Sequence, residues 1–247
     1  MIKNIKLVLE YDGTRYHGWQ AQAGTGRPTI QETLEQAISS LAQEPVKTVS
    51  SGRTDAGVHA LGHVANFPTA STIPSAAWAP ALNQRLPADI RVLSSGEAAG
   101  DFHARFSASG KVYKYRILNR REPTALYRDY AWHVNLKLKL GPMRKAAVLL
   151  LGTHDFSAFR AAGCAATSPV RTLRRVEVKK NGDFIEIWFE AESFLQYMVR
   201  NIAGTLVEVG LGRFRPEDVE LMLRSRNRSE AGRTAPPQGL YLVSVSY

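Results

Sequence analysis

Cysteine is nearly missing from this sequence: Cys164 stands alone among 247 residues. That excludes an intramolecular disulfide framework and any zinc cluster built from several thiolates, and it suits a reducing compartment. Long hydrophobic runs are missing too, since no stretch reaches the ~18 apolar residues a membrane-spanning helix needs. The start, Met1-Ile2-Lys3-Asn4-Ile5-Lys6, alternates charged and apolar types where a secretory signal would carry an uncharged apolar core. The expectation is a soluble, cytoplasmic protein with no membrane partner. Acid is in short supply as well: 32 Lys and Arg face 22 Asp and Glu, a formal charge of +10. Such a surface attracts polyanions and speeds their encounter, which puts nucleic acid first among partners. The same balance would also serve solubility alone, because net charge says nothing about fold.

What is present is an alternation of strand and helix patterns with no low-complexity linker. Ile5, Leu7, Leu9 and Tyr11 share one face of a strand, and Thr29 with Glu32 forms a capping-box start for a helix reaching about Leu41. Strands are expected at Val46 to Ser51 and Val58 to Phe67 around a Gly-rich turn, a helix near Ser75 after Pro74, and a strand at Ile90 to Leu93. That order, β-α-β-β-α-β, is ferredoxin-like.

The second half reads as a looser copy. Tyr113, Tyr115 and Ile117 share a strand face, and a helix follows Gly141-Pro142 through Leu151. Strands come at Val170 to Val178 and at Ile185, Ile187 and Phe189, with Glu186 and Glu190 facing the other way. Leu195, Met198, Val199, Ile202, Leu206 and Val209 give a helical stripe, Arg215 to Arg224 a shorter helix, and Leu240 to Tyr247 a closing strand. The predicted fold is mixed α/β (α+β), with halves at 1–107 and 108–247 sharing a mainly antiparallel sheet and a basic cleft between them.

The segment richest in chemistry is Ser51-Gly52-Arg53-Thr54-Asp55-Ala56-Gly57-Val58-His59-Ala60. Asp55 sits between glycines that let the backbone turn tightly and approach a ligand, with the Arg53 cation two residues before it. Taken alone, the segment fits better an Asx-turn in which Asp55 satisfies its own backbone, the commoner role for Asp beside Gly. Asp55, His59 and His63 are spaced by four, as metal ligands on one helix face would be. Yet Gly52, Gly57 and Gly62 with Val58 and Val64 describe a turn followed by a strand, so no metal is expected there and both histidines are read as partly buried polar residues hydrogen-bonded to backbone. Arg200, the one formal charge between Glu192 and Glu208 in an otherwise core-like segment, needs a partner. Phe102-His103-Ala104-Arg105-Phe106 interleaves rings with basic groups, the composition that meets unstacked bases.

Ordered blocks along nearly the whole chain resemble the tRNA pseudouridine synthase A family. They are Tyr11-Asp12-Gly13-Thr14 with Tyr16 and Gly18-Trp19-Gln20, the Gly52 to Ala60 loop, Ala81-Leu82-Asn83 with Leu86-Pro87, and Phe102 to Ser107. Lys111 to Tyr115, Met198-Val199-Arg200-Asn201-Ile202, and Ala235-Pro236-Pro237 before Gly239-Leu240-Tyr241-Leu242 follow. The resemblance implies isomerisation of uridines at positions 38 to 40 of the tRNA anticodon stem-loop by a homodimer. It implies Asp55 as the essential carboxylate, Tyr113 against the target base, and Arg53 and Arg200 around the aspartate. No cofactor is expected, because the substrate supplies every atom of the product. His63 stands where the family more often has Gln, and Gln196-Tyr197 where a His is common, departures that bear on local RNA contacts. From the residues alone two other readings stay open, a non-catalytic RNA-binding protein and a metal-dependent hydrolase on Asp55, His59 and His63.

Overall fold

A computed structural model describes residues 2–21 and 26–247, which form two compact units. One comprises the chain up to Ser109 together with Tyr241–Tyr247, and the other spans Gly110–Leu240. The fold is mixed α/β, and among the described residues no helix is long and apolar enough to cross a membrane.

The first unit follows the expected element order. β1 (Lys3–Tyr11) buries Ile5, Leu7, Leu9 and Tyr11, so a period of two selects the core face. α1 (Ile30–Ala42) starts at the Thr29–Glu32 capping box, in which each residue's side chain accepts from the other's amide, at 3.2 and 3.1 Å. β2 shrinks to Val49–Ser50. The reason is local competition for backbone donors: the Val46 amide goes to Ser39 Oγ and the Thr48 amide to the Glu35 carboxylate, both on α1, instead of to a neighbouring strand. β3 (His59–Thr69) follows, then a 3-10 turn at Ser75–Ala77 that runs into α2 (Trp78–Asn83). The last strand before the second unit, β4 (Ile90–Ala98), is longer than the hydrophobic pattern shows, because its polar Ser94-Ser95-Gly96-Glu97 stretch pairs with β1 on one sheet edge. β1 lies antiparallel between β3 and β4, and the end of the chain, β10 (Leu240–Ser246), runs parallel to β3 with Tyr241 opposite His59. Phe67 meets Trp78 edge-on at 5.1 Å beneath the sheet, where both are fully buried.

The second unit is an antiparallel set of β5 (Gly110–Asn119), β9 (Phe184–Ala191), β8 (Val170–Asn181) and β7 (Gly152–Asp155) in that order, with β6 (Trp132–Val134) parallel to β5. β6 and β7 are too short for any periodicity to announce them. On β9, Ile185, Ile187 and Phe189 are buried while Glu186 and Glu190 are half-exposed, as expected. α3 (Leu140–Val148) packs on α4 (Met198–Gly210), whose 13 residues are all buried except Arg200, and α5 (Asp218–Ser225) lies against β7 and the Ser157–Phe159 turn.

Candidate active site

Asp55 lies in the connection between β2 and β3, and its neighbours explain how a loop tip is held still. Thr54 is buried, with its hydroxyl 2.8 Å from Tyr11 Oη and its carbonyl accepting from the Trp19 amide at 3.0 Å. On the other side the Val58 amide donates to the Asp55 carbonyl at 3.1 Å, closing a turn in which Gly57 takes φ +76. Ser51 is tied to β3 through its amide and the Val64 carbonyl, 2.8 Å. Between these anchors Asp55 is half-exposed and Arg53 exposed.

The segment between β1 and α1 supports this loop by direct backbone contact. A Cβ on Gly13 would stand 2.0 Å from the Val58 carbonyl oxygen, and one on Gly18, whose φ is +80, would stand 2.5 Å from the Thr54 carbonyl oxygen. The Tyr-Asp-Gly and Gly-Trp blocks are therefore the bed on which the Asp55 turn rests, a role their residue types did not announce. A glycine in a loop reads as a turn until its neighbour in space is known.

His59 and His63 belong to the same support, and both are more deeply buried than expected, 2% and 0% exposed. His59 Nδ1 lies 3.2 Å from the Gly13 amide, which it accepts when neutral, and 3.2 Å from Asp12 Oδ1, and its ring stacks on Tyr241 at 4.9 Å. His63 has a side-chain partner: Tyr11 Oη lies 3.3 Å from its Nδ1, and its ring stacks on Trp19 at 3.9 Å. Among the described residues no group of three His, Cys, Asp or Glu is placed to hold a metal ion.

The Phe102 to Phe106 segment divides by depth. Ala104 is fully buried, its amide donating to Asn66 Oδ1 at 2.8 Å and its carbonyl accepting from Tyr247 Oη at 2.8 Å, so it anchors the loop and touches nothing outside. Phe102 packs on Tyr247 at 4.9 Å, with the Lys6 ammonium over both rings. His103, Arg105 and Phe106 turn outward. Phe106 is 75% exposed, stacked on His103 at 4.3 Å and flanked by the Arg105 guanidinium. His103 Nδ1 accepts the amides of Arg105 and Phe106, both at 3.2 Å, which holds that turn in shape.

In the second unit Tyr113 sits on β5 opposite Phe189, half-exposed at the end of a strand face that is buried further along at Tyr115 and Ile117. Its ring meets Phe194 edge-on at 5.1 Å. Arg200 leaves the first turn of α4 with Nε donating to the Ala235 carbonyl at 2.8 Å and its guanidinium 4.8 Å from the Tyr197 ring centre. The receiving segment is itself fixed: Ala235 donates to the Arg200 carbonyl at 3.1 Å, and Tyr115 Oη donates to the Pro236 carbonyl at 2.7 Å. Burial pushes the Tyr115 hydroxyl well above the usual phenol range, which keeps it a donor. Of the other basic residues, Arg116 has its guanidinium carbon 3.8 Å from the Phe184 ring centre, Arg171 binds the Ser168 and Val170 carbonyls, and Arg175 pairs with Glu177.

Comparison with known proteins names the chemistry. The family model described as tRNA pseudouridine synthase matches residues 7–107 and 146–247. The chain is 48% identical over 246 residues to the tRNA pseudouridine synthase A of Thermoanaerobacter sp. (strain X514), covering all of both. It is likewise 48% identical over 246 residues to that of Acetivibrio thermocellus, again over all of both. With the Neisseria gonorrhoeae protein of the same name it shares 45% over 241 residues, 98% of this chain and 91% of the relative. Similarity of this depth from end to end means that the chain belongs to the tRNA pseudouridine synthase family.

Proposed function

We propose that this enzyme isomerises uridine to pseudouridine at positions 38 to 40 of the tRNA anticodon stem-loop, with Asp55 as its catalytic carboxylate. The observation that carries this is the mounting of Asp55: the residues on either side are locked to β1, β3 and the Tyr11–Trp19 segment, while the residue itself is half-exposed. The reaction breaks the bond from ribose C1′ to N1, turns the uracil, and forms a bond from C1′ to C5. The C5 proton is lost and N1 gains one, so atoms balance without a redox or group-transfer cofactor. A carboxylate serves as nucleophile or base in that sequence.

Tyr113 is the residue that stacks against the target base, and Arg53 and Arg200 are cations that contact the target nucleotide. A stem uridine must leave its stack before its glycosidic bond can be reached, at a cost of a few kcal/mol, and base–aromatic contacts of ~1–3 kcal/mol offset it. The outward group of His103, Arg105 and Phe106, with Phe102 behind it, meets RNA by the same stacking physics. The arginines of the second unit bind phosphate. The working protein is a cytoplasmic homodimer, which sedimentation equilibrium would test.

The decisive experiment is Asp55→Asn, which preserves shape and removes the charge and nucleophilicity. Pseudouridine formation should disappear while tRNA affinity stays within about threefold of the parent. Measurable turnover by that variant would remove Asp55 from the chemistry.

A further inference from the structure

Three non-glycine residues take left-handed backbone angles among the described residues: Gln43, Tyr197 and Arg226. Gln43 and Arg226 follow α1 and α5, where a left-handed residue is the ordinary way to stop a helix. Tyr197 is different. At φ 63 and ψ 0 it precedes the first residue of α4, where an extended residue with a capping side chain is the rule, and it makes no side-chain cap hydrogen bond. A bulky side chain in that region is strained, so the surrounding structure must gain something by keeping it there.

The gain visible in the fold is the position of the ring. From Tyr197 the phenol reaches over the guanidinium of Arg200, one turn into α4, at 4.8 Å from ring centre to Cζ. The Ala235 carbonyl takes Nε at 2.8 Å. A planar group held by one edge and one face has its direction set. The carbonyl side of this clamp is rigid, because Ala235 is tied back to the Arg200 carbonyl and Pro236 to Tyr115. The adjoining residues are fixed as well: Arg228 donates to Asn201 Oδ1 and to Thr234 Oγ1, both at 3.0 Å, and Thr234 Oγ1 donates to Asn201 Oδ1 at 2.6 Å. On the ring side, the backbone angles of Tyr197 set where the phenol lies. Tyr197 is 38% exposed, so core packing does not account for its conformation.

We infer that Tyr197 is a positioning residue for the isomerisation: its strained backbone is kept because it lays the ring on Arg200 and aims the guanidinium at the bound nucleotide. This rests on the assignment of Arg200 to the nucleotide. The test is a set of variants read by single-turnover rate, KM and Tm. Tyr197→Phe keeps ring and backbone and should stay near the parent rate. Tyr197→Gly removes the ring and relieves the strain. Its Tm should be unchanged or higher, yet the rate at saturating tRNA should fall about tenfold, the size expected for losing one cation–π contact that orients a substrate-binding group. In an Arg200→Ala background, Tyr197→Gly should cause no further loss, since there is no guanidinium left to aim.

A Tyr197→Gly enzyme at the parent rate, beside an impaired Arg200→Ala enzyme, overturns the positioning role and leaves the proposed function standing. So does a loss from Tyr197→Gly that is equally large with and without Arg200, which would mark a structural role. Parent activity in Arg200→Ala overturns the assignment of Arg200 itself and the role of Tyr197 with it. Should the Gly variant fail to fold, Tyr197→Leu against Tyr197→Phe makes the same comparison, because Leu keeps the strain and loses the ring.

Discussion

The support beneath Asp55 can be tested without touching a residue that meets the substrate. In Gly13→Ala the added methyl carbon would stand 2.0 Å from the Val58 carbonyl oxygen, and an ordinary contact begins near 3.4 Å. The nearest neighbour is backbone and cannot swing aside, so the strand and the Val58 segment must separate by more than about 1 Å. Val58 closes the turn on the Asp55 carbonyl, and that displacement reaches the carboxylate directly. A misplacement of about 1 Å costs on the order of a hundredfold in rate, equivalent to about 2.7 kcal/mol of transition-state stabilisation. Overpacking should also destabilise the fold by ~1–3 kcal/mol, or roughly 2–4 °C in Tm per kcal/mol for a protein of this size. Gly18→Ala should act in the same direction, since its Cβ meets the Thr54 carbonyl oxygen at 2.5 Å and its φ of +80 is unfavourable for alanine. Gly96→Ala is the control: it also lies in unit one, on β4, and its Cβ meets nothing within 4 Å. The assay is tritium release from C5-labelled uridine in a tRNA transcript under single turnover, with Tm measured in parallel. Gly13→Ala that is folded and turns over at the parent rate would refute the claim that this contact sets the position of Asp55.

Three other outcomes follow from the same geometry. Glu35 is buried, and although burial alone would raise its pKa, the Thr48 amide, Lys47, Gln31 and the Thr48 hydroxyl together hold it below the usual value of 4.5. Its charged form therefore stabilises the fold above that value, and the contribution is lost as pH falls through the lowered folded pKa. Tm should decline less steeply below about pH 4.5 in Glu35→Gln than in the parent, and parallel profiles would contradict this. Affinity for tRNA should fall linearly with salt on logarithmic axes, and Arg116→Ala should reduce the slope by about one with little change in saturated rate; a flat response would mean the basic surface is not the binding face. Tyr113→Phe should keep most tRNA-dependent base extrusion, reported by a fluorescent base at the target position, while Tyr113→Ala loses it; equal extrusion in both would remove Tyr113 from that step.

How far the chain could be read from its residues depended on whether the deciding interactions were local. The β1 face, the Thr29–Glu32 cap, the β9 alternation and the α4 stripe were legible, because each is set by side chains within a few positions of one another. Asp55 was legible as a carboxylate on a Gly-flanked turn, and Arg200 as a charge in need of a partner, for the same reason. The polar end of β4, the three residues of β6 and the four of β7 carry no pattern of their own, and they are strands only because other strands bond to them. The truncation of β2 is a contest between α1 side chains and a neighbouring strand for the same backbone donors, invisible until both are in place. The bed of the Asp55 loop was hidden most completely. That Gly13 and Gly18 exclude a methyl group because of carbonyls some 40 residues away, and that His59 and His63 brace a turn where their spacing suggested ligands, depends on contacts between distant segments. Local sequence sets which face of a strand is apolar and where a chain can turn, whereas the distance between two backbones is decided only when the sheet has formed and the core has closed.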